Sequence, residues 1–160
     1  MIYVLHVQSG KEQEIVRKLG EWDIQSFAPT HELLERRNGK WNTVQRIIFP
    51  GYVFVSLDKL TQNIYYIVKS VDGVIRFLGQ PPEPLRQEEA DRLQWIFNAC
   101  NMTVSKGYVK DGRLHITDGI LSGREHCVIK YSRRRKRCTL YCEINGRRHF
   151  FDVSAELDKV

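Results

Sequence analysis

The spacing of apolar and polar positions predicts two successive bodies. The opening run Ile2-Tyr3-Val4-Leu5-His6-Val7 reads as a strand from its β-branched and aromatic content. Ile15, Val16, Leu19 and Trp22 then recur at helical spacing and make one apolar face, with Ser9 and Glu12 placed as a capping box at its start. Strands are expected over residues 26–35 and 41–57. Between them Arg37-Asn38-Gly39-Lys40 supplies the Asn-Gly pair that suits the positive φ angles of a tight hairpin. Thr61 is placed to cap a second helix in which Ile64, Ile67, Val68 and Val71 share a face, and Asp72-Gly73 ends it. A short strand over 74–78, the stiff Pro81-Pro82-Glu83-Pro84 connector and a third helix over 86–100 follow. The order strand, helix, strand, strand, helix, strand, helix predicts an α+β class fold of ferredoxin-like layout.

After Asn101 the texture changes to short strand-like runs with Gly and Asn turns, Asn145-Gly146 among them, and no helical period. Some fifty residues of this kind predict a small SH3-like β-barrel. The expected domains are therefore residues 1–104 and 105–160.

Charge sharpens this division. Residues 1–105 hold 12 Lys+Arg and 12 Asp+Glu, whereas residues 106–160 hold 13 and 7, so the net charge of +6 lies in the last 55 residues. Its focus is Arg133-Arg134-Arg135-Lys136-Arg137, between two expected strands. Like charges packed together repel, and a polyanionic partner offsets that repulsion. A solvated basic turn or a short address signal are the readings without such a partner. Arg124, Lys130, Arg147 and Arg148 lie close in sequence or one hairpin away; gathered by a barrel, the nine cations would form a face that tracks phosphates. Aromatics are sparse within the clusters, with Tyr131 and Tyr141 flanking, which favours structured RNA over a single-strand stacking platform.

Other chemistries find little support. There is no phosphate-binding Gly loop, no paired catalytic carboxylates and no nucleophile motif, so no enzymatic activity and no cofactor are expected. Cys100, Cys127, Cys138 and Cys142 read as reduced thiols. Cys138 and Cys142 share a strand face near His126 and His149, but their spacing is not that of a zinc knuckle, so no metal is expected. No segment approaches a membrane span, and the N-terminus lacks the pattern of a signal peptide, so the expectation is a cytoplasmic monomer.

The run Phe49-Pro50-Gly51-Tyr52-Val53-Phe54-Val55 is apolar on both strand faces. It is either covered on two sides or offers Tyr52 and Phe54 to a partner. Together with residues 2–12, with Asp72-Gly73-Val74-Ile75-Arg76-Phe77-Leu78-Gly79, and with Ile116-Thr117-Asp118-Gly119-Ile120-Leu121-Ser122-Gly123-Arg124-Glu125, it resembles in order the landmarks of the NusG family and its KOW motif. His126 and Ile120 stand where that motif usually has glycine and proline. The Gly123-Arg124-Glu125 turn and the residue 133–137 cluster are similar to the LoaP group of processive antiterminators.

That resemblance implies a polymerase-binding domain, gripping the β′ clamp helices of RNA polymerase through His6, Phe49, Tyr52, Phe54 and Phe77. It also implies a KOW domain that binds a hairpin in a nascent leader transcript. Asn63, Tyr65 and Tyr66 match the place where some paralogs contact non-template DNA. The alternatives are a general NusG-like factor whose KOW domain meets protein partners or the ribosome, and a ribosomal-RNA-binding protein.

Overall fold

Two prolines redirect the chain where long strands were expected. The computed structural model describes all 160 residues, Met1 to Val160. It opens with β1 (Ile2–Val7) and α1 (Glu12–Gly20). The run expected over 26–35 then splits at Pro29 into β2 (Gln25–Phe27) and β3 (Thr30–Arg37). The run over 41–57 splits at Pro50-Gly51 into β4 (Lys40–Ile47) and β5 (Tyr52–Ser56). Proline has no amide to give a ladder, so each run changes partners there. Next come α2 (Gln62–Ser70), β6 (Val74–Phe77), α3 (Gln87–Ala99) and β7 (Asn101–Met102). The remainder is β8 (Ser105–Lys110), β9 (Arg113–Asp118), a 3-10 turn at Glu125–Cys127, β10 (Lys130–Ser132), β11 (Arg137–Ile144) and β12 (Arg147–Lys159). No helix is long and apolar enough to cross a membrane.

The elements gather into two units, one of residues 1–28 with 49–97 and the other of residues 29–48 with 98–160. The sequence placed residues 29–48 with the N-terminal body and the division at 104/105. In the structure the β3–β4 hairpin packs with the C-terminal residues, for reasons of pairing. β7 runs parallel to β3, with Thr30 opposite Asn101. Further along, the Leu34 amide donates to Ser154 Oγ of β12 at 2.8 Å.

The first unit is a four-stranded sheet in the order β2-β5-β1-β6, with the three helices in the same unit. Its core holds Val4, Leu5, Ile15, Leu19, Val53, Val55, Val68, Leu93 and Phe97. Thr61 caps α2 as anticipated, its Oγ1 accepting from the Ile64 amide at 3.1 Å. The capping box at α1 is different. The N-cap is Lys11, with no side-chain cap. Glu12, only 2% exposed, instead accepts from the Gly10 amide at 2.7 Å and the Gly51 amide at 2.9 Å. This carboxylate ties the start of the helix to the Pro50-Gly51 turn. Gly51 has φ +85°, a left-handed conformation that side-chain-bearing residues rarely adopt.

The second unit holds a three-stranded sheet, β4-β3-β7, and a five-stranded sheet, β10-β11-β12-β8-β9. This α+β combination is the fold class expected from the sequence. β12 runs antiparallel to β11 from Arg147 to Ser154, then parallel to β8 from Ala155 to Lys159. Both Asn-Gly turns are as expected, with Asn38 and Asn145 at φ +52° and +51°. Asp111-Gly112, at φ +53° and +73°, makes a third tight turn between β8 and β9, with the Asp-Gly signature such turns favour.

Candidate nucleic-acid interface

The five-cation run forms the turn between β10 and β11, whose last pair is Ser132 with Arg137. Ser132 Oγ accepts from the Arg135 amide at 3.1 Å, and Lys136 adopts a left-handed φ of +55°. A serine before the turn and one residue in this conformation close it tightly. The result is that Arg133, Arg134 and Arg135 point out of the ladder, exposed and without an ion pair.

The other two cations of the run have different surroundings. Lys136 Nζ sits 4.6 Å from the centroid of the Trp41 ring, a cation–π contact with β4. Arg137 is half-buried; its Nη1 donates to the Leu34 carbonyl of β3 and, at 2.8 Å, to Ser154 Oγ of β12. Burial, the largest cause, lowers the Arg137 pKa from its usual value. Arg137 therefore joins three strands, while Arg133, Arg134 and Arg135 make no ion pair. Of the remaining predicted cations, Arg124 Nη1 donates to the Ile120 carbonyl at 3.0 Å, holding its own loop. Lys130 and Arg147 are exposed, and Arg148 lies 5.2 Å from the Tyr141 ring. Charge run alone gave no means of separating bound arginines from free ones.

The tip of the β3–β4 hairpin adds further cations. Arg36, Arg37 and Trp41 line one cleft with Arg134, Arg135 and Arg137, along with Leu34 and Glu35. Glu35 accepts from Arg46 at 3.3 Å and lies 3.9 Å from Arg37. A second cleft, in the C-terminal part, is lined by Arg113, Glu125, His126, Ile129, Lys130 and Tyr131 among others. His126 is exposed on it. The motif position of Ile120 lies beside Gly119, at φ +104°, where an added Cβ would come within 2.5 Å of Ser105 Oγ. Glycine is required there by this close approach.

The expected polymerase-facing residues divide sharply. On the sheet of the first unit, His6 pairs with Tyr52 and Val4 with Phe54, so these four share a face. His6 and Tyr52 are half-buried, their ring centroids 6.1 Å apart. Phe54 is 0% exposed, its ring 4.9 Å from Phe97 of α3 and 5.5 Å from Phe49, itself buried. Phe77 pairs with Leu5 and so lies on the opposite face from His6. There it stacks on Tyr65 at 5.4 Å and is 4% exposed. Phe49, Phe54 and Phe77 are thus core residues, a correction that follows from strand parity and from α3 covering Phe54. The register instead brings Arg76, exposed, beside His6. Of the expected DNA contacts, Tyr65 packs on Phe77, whereas Asn63 and Tyr66 are exposed.

Among the thiols, Cys138 and Cys142 are buried, and burial raises the Cys138 pKa to about 11. No group of three or more His, Cys, Asp or Glu side chains is placed to hold a metal ion.

Known proteins resemble this chain in sequence and in fold. The family described as "Transcription termination factor nusG" matches residues 2–94. The chain belongs to the NusG family. The transcription termination/antitermination protein NusG of Pseudomonas aeruginosa is 32% identical over 103 residues, which is 57% of this chain and 58% of that protein. The Bacillus subtilis protein of the same name is 31% identical over 105 residues, covering 57% and 59%. These alignments thus span less than two thirds of the relatives' length. The Rickettsia typhi NusG aligns more extensively, 26% identical over 91% of this chain and 82% of its own. A solved structure of Thermotoga maritima NusG superposes with a TM-score of 0.51 at 14% identity, covering 96% of this chain and 92% of that one, a likeness of fold.

Proposed function

We propose that this protein is a transcription elongation and processive antitermination factor of the LoaP group. Its sheet-and-helix unit binds the β′ clamp helices of RNA polymerase, and its basic unit binds a hairpin in the nascent leader RNA. Relatives named for transcription termination and antitermination support the first part. One observation carries the second: Arg133, Arg134 and Arg135 are presented together, exposed and free of acidic partners. Guanidinium forks of this kind meet phosphates in pairs and reach guanine edges where a bulge or loop opens the helix. No step of this function requires a catalytic group, a metal or a cofactor.

On the polymerase side, His6 and Tyr52 are the partner-facing residues, with Arg76 beside them. Rings of this type supply contact area at low entropic cost. Asn63 and Tyr66 are the residues left for non-template DNA. A transcription assay with purified polymerase tests the whole reading, on a template with a leader hairpin ahead of a terminator. Added protein is expected to raise read-through only when the hairpin is present. Equal read-through without the hairpin would instead favour a general NusG-like factor.

One observation favours that second reading in part. Tyr141 and Phe150, paired across β11 and β12 with rings 6.3 Å apart, are both exposed, Phe150 by 61%. An apolar pair on a sheet face suits a protein partner such as a ribosomal component. Binding of purified ribosomes that Phe150→Ala abolishes while leaving RNA-hairpin binding intact would establish that role.

A further inference from the structure

Resting on the RNA reading above, we propose that the RNA-binding surface is a two-jawed cleft, formed by the β3–β4 hairpin tip and the β10–β11 turn. We assign to it an unpaired nucleotide of structured RNA together with its flanking phosphates. The two jaws lie about a hundred residues apart in sequence, and neither alone explains the arrangement.

Three features converge. The first is charge: the cleft is lined by Arg36 and Arg37 from one side and Arg134, Arg135 and Arg137 from the other, against Glu35 alone. Glu35 is shared between Arg46 at 3.3 Å and the cleft's own Arg37 at 3.9 Å, one carboxylate among five cleft arginines. Arg137 contributes hydrogen bonds to the fold, but Arg134 and Arg135 make no ion pair, and a polyanion seated in the cleft relieves the mutual repulsion of the gathered guanidinium groups. The second is rigidity. Arg137 and Ser154 hold β3 through the Leu34 carbonyl and amide, so the spacing of the jaws is set by hydrogen bonds before any ligand arrives. A preformed site loses less freedom on binding.

The third feature is shape and surface. The cleft has a volume of about 460 Å³, within the range of pockets that hold small ligands. It contains the Trp41 ring, which carries the Lys136 ammonium 4.6 Å from its centroid. A planar ring among arginines gives a base a surface on which to stack. A paired base cannot reach it, because side chains do not enter the deep, narrow major groove of A-form RNA. A bulged or looped-out base can, with its 5′ and 3′ phosphates turned toward Arg36 and Arg37 on one side and Arg134 and Arg135 on the other.

The test uses the full chain and two labelled RNA stem-loops, one with a purine bulge and one fully paired, titrated by fluorescence anisotropy over a range of salt. Arg36→Ala/Arg37→Ala is expected to weaken binding of the bulged RNA about tenfold and to reduce the salt dependence by about two counterions. Trp41→Ala is expected to erase the preference for the bulged RNA, with Trp41→Phe restoring part of it. Both hairpin arginines are exposed, and matching thermal melts verify that the fold is kept. If Arg36→Ala/Arg37→Ala binds as wild type while Arg134→Ala/Arg135→Ala loses the RNA, the two-jawed cleft is overturned and the RNA reading stands. If neither variant changes binding, the RNA reading itself falls. Equal loss on both RNAs for every variant overturns the unpaired-base assignment, and tighter binding to duplex DNA overturns the assignment to RNA.

Discussion

The two units differ most in how they use charge. Residues 1–28 and 49–97 contain 8 Lys+Arg and 10 Asp+Glu, for a net of −2, while residues 29–48 and 98–160 contain 17 and 9, for a net of +8. Cutting the chain at residue 105 gave zero and +6. Charge therefore follows packing more closely than it follows sequence order, because the hairpin brings Arg36, Arg37, Lys40 and Arg46 to the basic unit. Three of the eight cations of the first unit are paired, Lys11 with Asp72 at 2.8 Å, Arg17 with Glu21 at 2.9 Å and Lys18 with Glu14 at 3.5 Å, and the other five are scattered along the sequence. In the second unit, Arg133, Arg134 and Arg135 have no such partners. Unpaired cations gathered at one turn, more than net charge itself, distinguish the second unit from the first.

The strongest challenge to this comparison lies in the neutral core of the first unit. Phe54→Ala is expected to destabilise it by about 3–5 kcal/mol, because it empties a site enclosed by Phe49 and Phe97. Tyr52→Ala, at a half-buried edge, is expected to leave the fold nearly intact while weakening polymerase binding. Urea unfolding beside a polymerase pull-down separates the two, and full binding by Tyr52→Ala would remove the first unit's partner face. Next in size is the effect of the free arginines. Changing Arg133, Arg134 and Arg135 together to Ala should weaken hairpin RNA about a hundredfold at physiological salt and lower the salt slope by about three. The same removal of exposed cations from the first unit, at Arg86 and Arg92, should change RNA affinity little. Comparable losses from the two sets would show that the units share the RNA surface.

Arg137 sharpens the contrast within the basic unit. Its hydrogen bonds to the Leu34 carbonyl and Ser154 predict that Arg137→Ala costs about 1.5–3 kcal/mol of stability. Arg134→Ala should cost less than about 0.5 kcal/mol, and denaturant midpoints decide. The smallest effect is one of pH. Burial holds the imidazole of His31 below its usual value of 6.5, aided by the Arg137 charge. His149 is lowered in the same way by burial and by Arg147. As pH falls, the unfolded chain therefore takes up protons before the folded unit does. The second unit should hold its full stability above about pH 6.5 and lose some of it as pH falls through that value toward the folded ones. Thermal melts at about pH 7.5 and about pH 5.5 measure this, and His31→Gln should flatten the change.

What could be read from the sequence was local. Asn38-Gly39 and Asn145-Gly146 made the turns their backbone preferences dictate, Thr61 capped its helix, and the helical faces fell where their periods placed them. The cationic turn was found from residues 133–137 alone. What escaped depended on partners distant in sequence. Pro29 and Pro50 were visible, but not that each would hand a strand from one sheet to another. The parity that buries Phe77 beside Tyr65 required the β1–β6 register, and the burial of Phe54 required α3 above it. Glu12 looked like half of a capping box because its second acceptor bond, to Gly51, spans 39 residues. Likewise, no local pattern could show that Arg137 serves structure while Arg134 does not.

The discontinuity of the second unit bears on how the protein is made. Its β3–β4 hairpin emerges before most of the first unit, yet β3 must wait for Ser154, 120 residues later, to receive its Leu34 amide. A two-stranded hairpin is marginal by itself, and contacts between distant residues form slowly. During synthesis the first unit can close around residues 49–97 while the hairpin remains unsupported. Refolding followed separately in the two units should therefore show the second lagging, and simultaneous recovery would refute this order. The cleft arginines would then come together only in the finished molecule, so a nascent or truncated chain lacks the paired jaws with which to sequester RNA.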